Sequence, residues 1–183
     1  MNEMGVNLFS QDVIEFVTVA TEFCVRAENA GQTTRKEFVG VMLKILPLLY
    51  LKGIVLAETV PLEEEDSPEQ LVTEEDYNFV RDSIAAQMGS FDDYLDVFVE
   101  DMKYSDCPIR KTISEDLADI YQDLRNFVGI FKEGHEESVR CALQEVKEQF
   151  PNYWGQRIPC VMRALHDVMY VQQEEGYDNL TRL

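Results

Sequence analysis

The sequence predicts an all-α protein, a single-domain bundle of about six or seven helices over residues 1–183. Three observations favour this class. Apolar residues recur almost throughout at the 3.6-residue period of a helix, capping residues and glycines mark the ends of the periodic segments, and the chain length suits one domain. Apolar residues make up 45% of the chain and charged residues 28%, which is typical of a globular protein with a hydrophobic core.

The first two helices are predicted from their boundary residues. Ser10 is the predicted N-cap of the first helix and Gly31 is its predicted stop. The second helix opens at Thr34 with a capping-box pattern completed by Glu37, and its apolar character nearly all round predicts a central, buried position. Pro47 should kink this helix or end its first half, because proline lacks an amide proton and clashes with the preceding turn.

The middle of the chain is predicted to contain an acidic loop and a further helix. Residues 61–70 include two prolines and a run of like charges, which is typical of a solvated loop. No second core lies on either side of this loop, so it is not expected to be a domain boundary. Thr73 then caps a helix that Gly89 closes.

The next segment gives a less distinct pattern. Apolar residues at helical spacing predict a helix over residues 90–102, although the alternative of an extended strand fits residues 97–99 equally well. A loop is expected over residues 103–112.

The last third of the chain carries the most regular helical pattern. Ser114 or Thr112 caps a long amphipathic helix that Gly134 ends. The following helix breaks at Pro151, and the last helix is predicted over about residues 153–173.

The charge balance restricts the classes of partner. Sixteen Lys and Arg residues against 35 Asp and Glu residues give a formal net charge of −19. Nucleic acids and anionic membranes are bound by clustered Lys and Arg, so neither is an expected partner, whereas a basic protein is. We expect a cytoplasmic protein, because no secretory signal precedes the helices, the apolar run over residues 45–51 is too short to span a bilayer, and the four cysteines form no C-x-x-C pair.

Acidic residues of the Thr112–Gly134 helix form the first candidate site. Asp116, Asp119 and Asp123 fall within about 60° of arc on the flank of the apolar stripe. With Asp92 or Asp96, these carboxylates could hold Mg²⁺ or Mn²⁺ in a hydrolase of a phosphorylated small molecule. The alternative is a solvated acidic face that interacts favourably with the helix dipole.

Four polar side chains form the second candidate, a site for an anion or a partner. Arg163 and His166 are neighbours on the last helix, Gln156 projects from the same face, and Arg110 precedes a helix N-terminus, where backbone amides favour anions. A guanidinium beside an imidazole could bind a carboxylate or a phosphate. Alternatively, Arg163 pairs with one of the many acids and His166 lies on the helix face.

Four segments carry a resemblance to a known family. They are Tyr104-Ser105-Asp106, the run ISEDLADIYQDL from Ile113 to Leu124, Tyr153-Trp154-Gly155-Gln156, and Arg163-Ala164-Leu165-His166. Together they resemble a bacterial family catalogued only as domain of unknown function five thousand and sixty-three. The similarity covers most of the chain, and it implies a helical cytoplasmic domain without an established activity.

A looser resemblance concerns the acidic helix alone. Leu117-Ala118-Asp119-Ile120 is similar to the second motif of the all-α nucleotide pyrophosphohydrolases, which hold magnesium between two acidic helices. This resemblance implies a magnesium site that includes Asp116-x-x-Asp119. The chain departs from the family pattern because it has no upstream E-x-x-E, for which the acids between Asp92 and Glu100 would have to substitute.

Two functions therefore stand open. The sequence favours a non-catalytic acidic module that binds a protein partner, because no complete catalytic set is visible and the charge of −19 attracts basic proteins. The alternative is the Mg²⁺- or Mn²⁺-dependent hydrolase, in which Arg163 or Arg110 would meet the phosphate. Neither reading indicates an oligomeric state.

Overall fold

Six α-helices and a two-stranded sheet make up the parts of the chain that the computed structural model describes, which are residues 7–56, 68–96 and 107–171. The predicted all-α class is confirmed. The helices are α1 (Gln11–Glu28), α2 (Arg35–Val55), α3 (Glu74–Met88), α4 (Ile113–Glu133), α5 (Glu136–Asn152) and α6 (Trp154–Tyr170). The strands are β1 (Asp93–Asp96) and β2 (Ile109–Thr112).

The helices begin at the predicted capping residues. The side chains of Ser10, Thr34 and Thr73 each accept a hydrogen bond from the backbone amide three residues later. Of the two candidates for α4, Thr112 forms the cap, accepting from the Glu115 amide at 3.2 Å, and Ser114 lies inside the helix. Local side-chain chemistry therefore sets these N-termini.

Glycine and proline act less uniformly than predicted. Gly89 and Gly134 end α3 and α4 with positive φ angles of 58° and 77°, as expected. In contrast, α1 ends at Glu28, and Gly31 lies in a short 3-10 turn that follows. Of the two effects predicted for Pro47, the end of the first half of α2 is wrong: α2 continues through Pro47, which lies on the exposed side with buried residues both before and after it.

The predicted helix over residues 90–102 is wrong where the structure describes it. Asp93–Asp96 is strand β1, which pairs antiparallel with β2, so the expected loop over residues 103–112 also ends in a strand. Burial alternates along β1, with Tyr94 and Asp96 turned inward and Leu95 exposed, which is the period of a strand. Residues 97–106 lie outside the described part, as do residues 57–67, which include positions 61–67 of the predicted acidic loop, and residues 172–173 at the end of the last predicted helix.

Helix α4 lies at the centre of the bundle, in contact with α1, α3, α5 and α6. The core beside it is aromatic. Trp154 is fully buried, with its ring centroid 5.9 Å from Phe16 and 4.7 Å from Phe150, and its indole Nε1 donates to the Val146 carbonyl oxygen at 2.8 Å. A Cβ on Gly155 would lie 2.2 Å from the Phe150 carbonyl oxygen, so only glycine permits this close start of α6 against α5.

Helix α2 meets the length and hydropathy of a membrane-spanning segment. A window of 18 residues within this 21-residue helix reaches a mean hydropathy of 1.9, and it is the one such helix within residues 7–56, 68–96 and 107–171. The prediction that no segment is long enough to span a bilayer was based on the apolar run over residues 45–51 alone, which is only part of α2. Helix α2 packs against α1 and α6 with Met42, Leu46 and Leu49 fully buried. Only 39% of its apolar window is buried, and Leu48, Leu51 and Ile54 are about half exposed, so the predicted central, buried position of α2 is wrong.

Candidate functional site

A buried carboxylate on α4 is the centre of the most connected polar cluster. Asp116 is only 4% exposed. Its Oδ2 accepts a hydrogen bond from the Tyr94 hydroxyl, and its Oδ1 lies 3.8 Å from Nε of Arg157. Burial raises the pKa of the Asp116 carboxyl, while the Tyr94 hydroxyl and the cations of Lys111 and Arg157 oppose that rise.

One helical turn further along α4, Asp119 shares the same guanidinium. Its Oδ2 accepts from Arg157 Nε at 2.8 Å, and its Oδ1 accepts from the Tyr77 hydroxyl at 2.8 Å. Burial, together with the hydrogen bond to Asp119, raises the pKa of Tyr77 above its usual range, so the phenol stays a donor. We call Asp116, Asp119, Tyr77, Tyr94 and Arg157 the carboxylate network.

The carboxylate network joins four elements of the fold. Tyr77 comes from α3, Tyr94 from β1, both aspartates from α4, and Arg157 from α6. The aspartates meet one guanidinium because residues three apart on a helix share a face. The two hydroxyls therefore connect α3 and β1 to the central helix α4, and the guanidinium connects α6 to it.

The inward face of the sheet extends this network. Lys111 lies opposite Tyr94 in the strand register, and its Nζ is 2.8 Å from Oδ2 of Asp96, its diagonal neighbour on β1. The Asp96 side chain is buried, with 4% exposure, so the pair is shielded from solvent on its acidic side. The sheet thus presents a phenol, a carboxylate and an ammonium group to α4 and α6.

A cavity of about 700 Å³ opens beside these residues. The rings of Tyr50 and Phe150 lie on one part of its wall, and Lys111, Arg157 and Cys160 lie on another. Burial and the charge of Asp96 raise the pKa of the Cys160 thiol. The thiol is therefore protonated at neutral pH and is a poor nucleophile.

The five carboxylates of the predicted metal site do not form one ligand set. Asp92 accepts hydrogen bonds from the Ser114 amide at 2.9 Å and the Ser114 hydroxyl at 2.6 Å, while Asp96 pairs with Lys111. Asp116 and Asp119 belong to the carboxylate network. Among the residues that the structure describes, no group of three or more His, Cys, Asp or Glu side chains is placed to hold a metal ion.

The fifth member, Asp123, lies apart in a smaller cavity of about 230 Å³ between α4 and α5. No hydrogen bond or ion pair joins it to another residue in the described ranges. Burial raises its pKa to about 6; the charge of Arg157 opposes that rise, and the charges of Asp119 and Glu145 add to it. A partly buried carboxylate without a hydrogen-bonding partner destabilises the folded state when it ionises.

The four side chains of the predicted anion site each have a partner of their own. Arg110 and Arg163 are exposed and paired with acids, which is the alternative stated for Arg163. Gln156 donates a hydrogen bond near the end of α5, and the His166 ring packs near the end of α6. These partners are Asp93 for Arg110, Asp167 for Arg163, the Pro151 carbonyl oxygen for Gln156 and the Tyr170 ring for His166.

The sequence analysis missed the partners of Asp116 and Asp119. Tyr77 and Tyr94 stand among apolar residues in the sequence, where the apolar pattern conceals that their hydroxyls need a hydrogen-bond partner when the rings are buried. Arg157 lies at the edge of the apolar face of α6, as the aspartates lie at the edge of the apolar face of α4. That shared position was the one available signal.

Comparison with known proteins identifies the family. The family model described as domain of unknown function (DUF5063) matches residues 7–171. The chain belongs to this family. The resemblance predicted from the sequence is thus confirmed, and the family has no described activity. No curated protein matches the chain.

A solved structure shows the same fold in a similar protein. The crystal structure of protein BF1032 from Bacteroides fragilis, a Northeast Structural Genomics Consortium target, is 44% identical to this chain. The alignment covers 90% of this chain and 96% of that one, with a TM-score of 0.80.

The carboxylate network predicts a large difference between two arginine substitutions. Arg157→Met should lower the free energy of unfolding by about 1–3 kcal/mol, because it removes the cation that Asp119 pairs with and one of the two cations near Asp116. The matched control Arg110→Met removes an exposed pair and should cost less than about 1 kcal/mol. Urea unfolding followed by circular dichroism measures both, and equal losses would contradict a special role for Arg157.

The raised pKa of Asp123 predicts a dependence of stability on pH. The folded state holds this proton more tightly than the unfolded chain, whose carboxyl has the ordinary value of 3.8, so stability falls as pH rises from about 4 through about 6. Asp123→Asn should therefore gain about 2 kcal/mol relative to wild type between pH 4 and pH 7, since each unit of pKa difference is worth about 1.4 kcal/mol. Thermal unfolding across this range tests it, with exposed Asp82→Asn as the control; a pH-independent difference for Asp123→Asn would refute it.

Proposed function

We propose that this protein is a non-catalytic module that binds a basic protein partner. The observation that carries the proposal is the distribution of its outward-facing charge. The chain has a net charge of −19, and exposed acids gather in the first turns of α3 and α5, at Glu74, Glu75, Glu136 and Glu137. None of these four carboxylates forms an ion pair within the described residues.

Three exposed arginines offset little of this field, because neighbouring acids already neutralise them. Arg26 pairs with Glu22 on α1, Arg110 pairs with Asp93 across the sheet, and Arg163 pairs with Asp167 on α6. The uncompensated surface charge is therefore negative. A negative surface accelerates encounter with basic partners and repels nucleic acids and anionic membranes.

The arrangement of the interior also supports binding rather than catalysis. Asp116 and Asp119 accept from tyrosine hydroxyls and from Arg157, so the groups that a hydrolase would need are engaged in holding helices together. The Cys160 thiol beside the larger cavity is held in its protonated form. Cys24 and Cys160 are thiols rather than disulfide partners, which is consistent with the cytoplasmic location that we propose.

Charge-directed binding can be tested by affinity purification from a bacterial lysate. We expect the tagged chain to recover proteins of high isoelectric point at about 50 mM NaCl and to release them at about 500 mM, because salt screens exposed charges. The variant Glu74→Lys/Glu75→Lys/Glu136→Lys/Glu137→Lys should lose them.

The matched control replaces the same four residues with Asp and keeps the charge. It should retain the basic proteins that wild type recovers. Recovery of neutral or acidic proteins that stay bound at high salt, or retention of the same set by the lysine variant, would contradict the proposal.

A further inference from the structure

A groove between α3 and α4 has a different composition from the rest of the acidic surface. Its volume is about 670 Å³. Apolar side chains from the segment before α3 and from α3 itself form much of its lining, and carboxylates from three helices lie around them. The apolar members are Leu71, Val72, Phe79 and Val80, and the acidic members are Glu28, Asp76 and Glu133.

The floor of this groove is held in place by a buried amide. Oδ1 of Asn126 accepts hydrogen bonds from the backbone amides of Leu71 and Val72, each at 2.8 Å, and its Nδ2 donates to Oε1 of Gln70 at 2.8 Å. Leu71 also packs directly over Gly129, where a Cβ would lie 2.5 Å from its Cδ1. Because these contacts fix the chain before α3 against α4, the groove exists without a ligand and binding need not order it.

A large aromatic side chain stands at the edge of the groove. Phe79 is 61% exposed, whereas the next residue, Val80, is buried in the core. Glu75 and Asp76 precede Phe79 by four and three residues on α3, so their carboxylates lie on the same side of the helix. An exposed aromatic ring with adjacent charges of one sign has the composition of an interface anchor.

Three carboxylates and two cations line the groove, and the other acids in the first turn of α3 add to the negative charge beside it. The hydrogen bond from Thr73 holds the pKa of Asp76 below its usual range, so this carboxylate is ionised at neutral pH. Glu28 already neutralises Arg125, accepting from its Nε at 3.0 Å. The cation of Lys132 next to Glu133 is the remaining positive charge on the lining.

We propose that the groove between α3 and α4 receives a basic segment of the partner and that an apolar side chain of this segment packs against Phe79. This inference rests on the proposed function and adds the docking site and the chemistry of the bound segment. A second copy of this chain fits poorly, because two molecules of charge −19 repel each other. Lysine or arginine next to leucine or phenylalanine satisfies both the acids and the apolar floor.

The experiment uses two fluorescein-labelled peptides of about 16 residues, with matched charge. One places lysine and leucine at amphipathic helical spacing, and the other has serine in place of every leucine. By fluorescence anisotropy at physiological salt, we expect wild type to bind the lysine–leucine peptide at least about fivefold more tightly. Phe79→Ser should weaken the affinity for the lysine–leucine peptide about tenfold and leave the affinity for the lysine–serine peptide unchanged. Its circular dichroism spectrum should match that of wild type.

Two further variants make the assignment specific. Leu95→Ser removes an apolar side chain of the same exposed fraction, 61%, from β1 and should change neither affinity. Phe79→Leu keeps an apolar side chain at the groove and should keep most of the preference for the lysine–leucine peptide. Amide chemical shifts of Leu71, Val72 and Gly129 should move on titration with the lysine–leucine peptide.

The outcomes separate this inference from the proposed function. If both peptides bind equally in a salt-dependent manner and Phe79→Ser has no effect, the groove is not the docking site, while charge-directed binding stands. If neither peptide binds at any salt concentration, the proposed function fails together with the groove. Equal losses in Phe79→Ser and Leu95→Ser would also overturn the groove assignment.

Discussion

A hydroxyl and two cations allow a carboxylate to be buried at the centre of this bundle. Asp116 on α4 is almost inaccessible to solvent, and ionising such a group without compensation would cost several kcal/mol, by the order of magnitude known for buried charges. The Tyr94 hydroxyl supplies a hydrogen bond, and Lys111 from β2 and Arg157 from α6 supply the positive charge. The position of α6 relative to α4, and that of the sheet relative to both, depend on this compensation.

The acids of the chain thus fall into two populations with different consequences. Inward acids such as Asp96, Asp116 and Asp119 are matched by cations or hydroxyls, so they fix the packing of helices and strands and contribute little to the external field. Outward acids at the first turns of α3 and α5 stabilise helix ends through the dipole and leave the surface negative. The proposed function depends on the second population, and the fold depends on the first.

Local features were predictable from the sequence because they depend on residues a few positions apart. The capping box at Thr34, the N-cap at Thr73 and the glycine stops at Gly89 and Gly134 are interactions within one turn, and they were predicted correctly. The strand pair was not, because Asp93 meets Thr112 only through a long-range pairing that periodicity over a short window does not register. The same holds for Arg157, which is 38 residues from Asp119.

The candidate site shows the same limit. Helical geometry placed Asp116 and Asp119 on one flank of α4, but their partners come from α3, β1 and α6. Only the tertiary structure shows that two of the predicted metal ligands, Asp116 and Asp119, contact tyrosine hydroxyls and a guanidinium. Leu71 likewise adjoins the predicted acidic loop, and only the hydrogen bonds to Asn126 show that it forms the floor of a groove.

A double-mutant cycle between Asp119 and Arg157 tests the central claim most directly. Asp119→Ala, Arg157→Ala and the double variant would be compared with wild type by urea unfolding at neutral pH. If Arg157 compensates the buried carboxylates, the two substitutions should couple by about 1–3 kcal/mol, with the double variant losing less stability than the sum of the single losses. Additivity within about 0.5 kcal/mol would show that the contact does not hold the fold together.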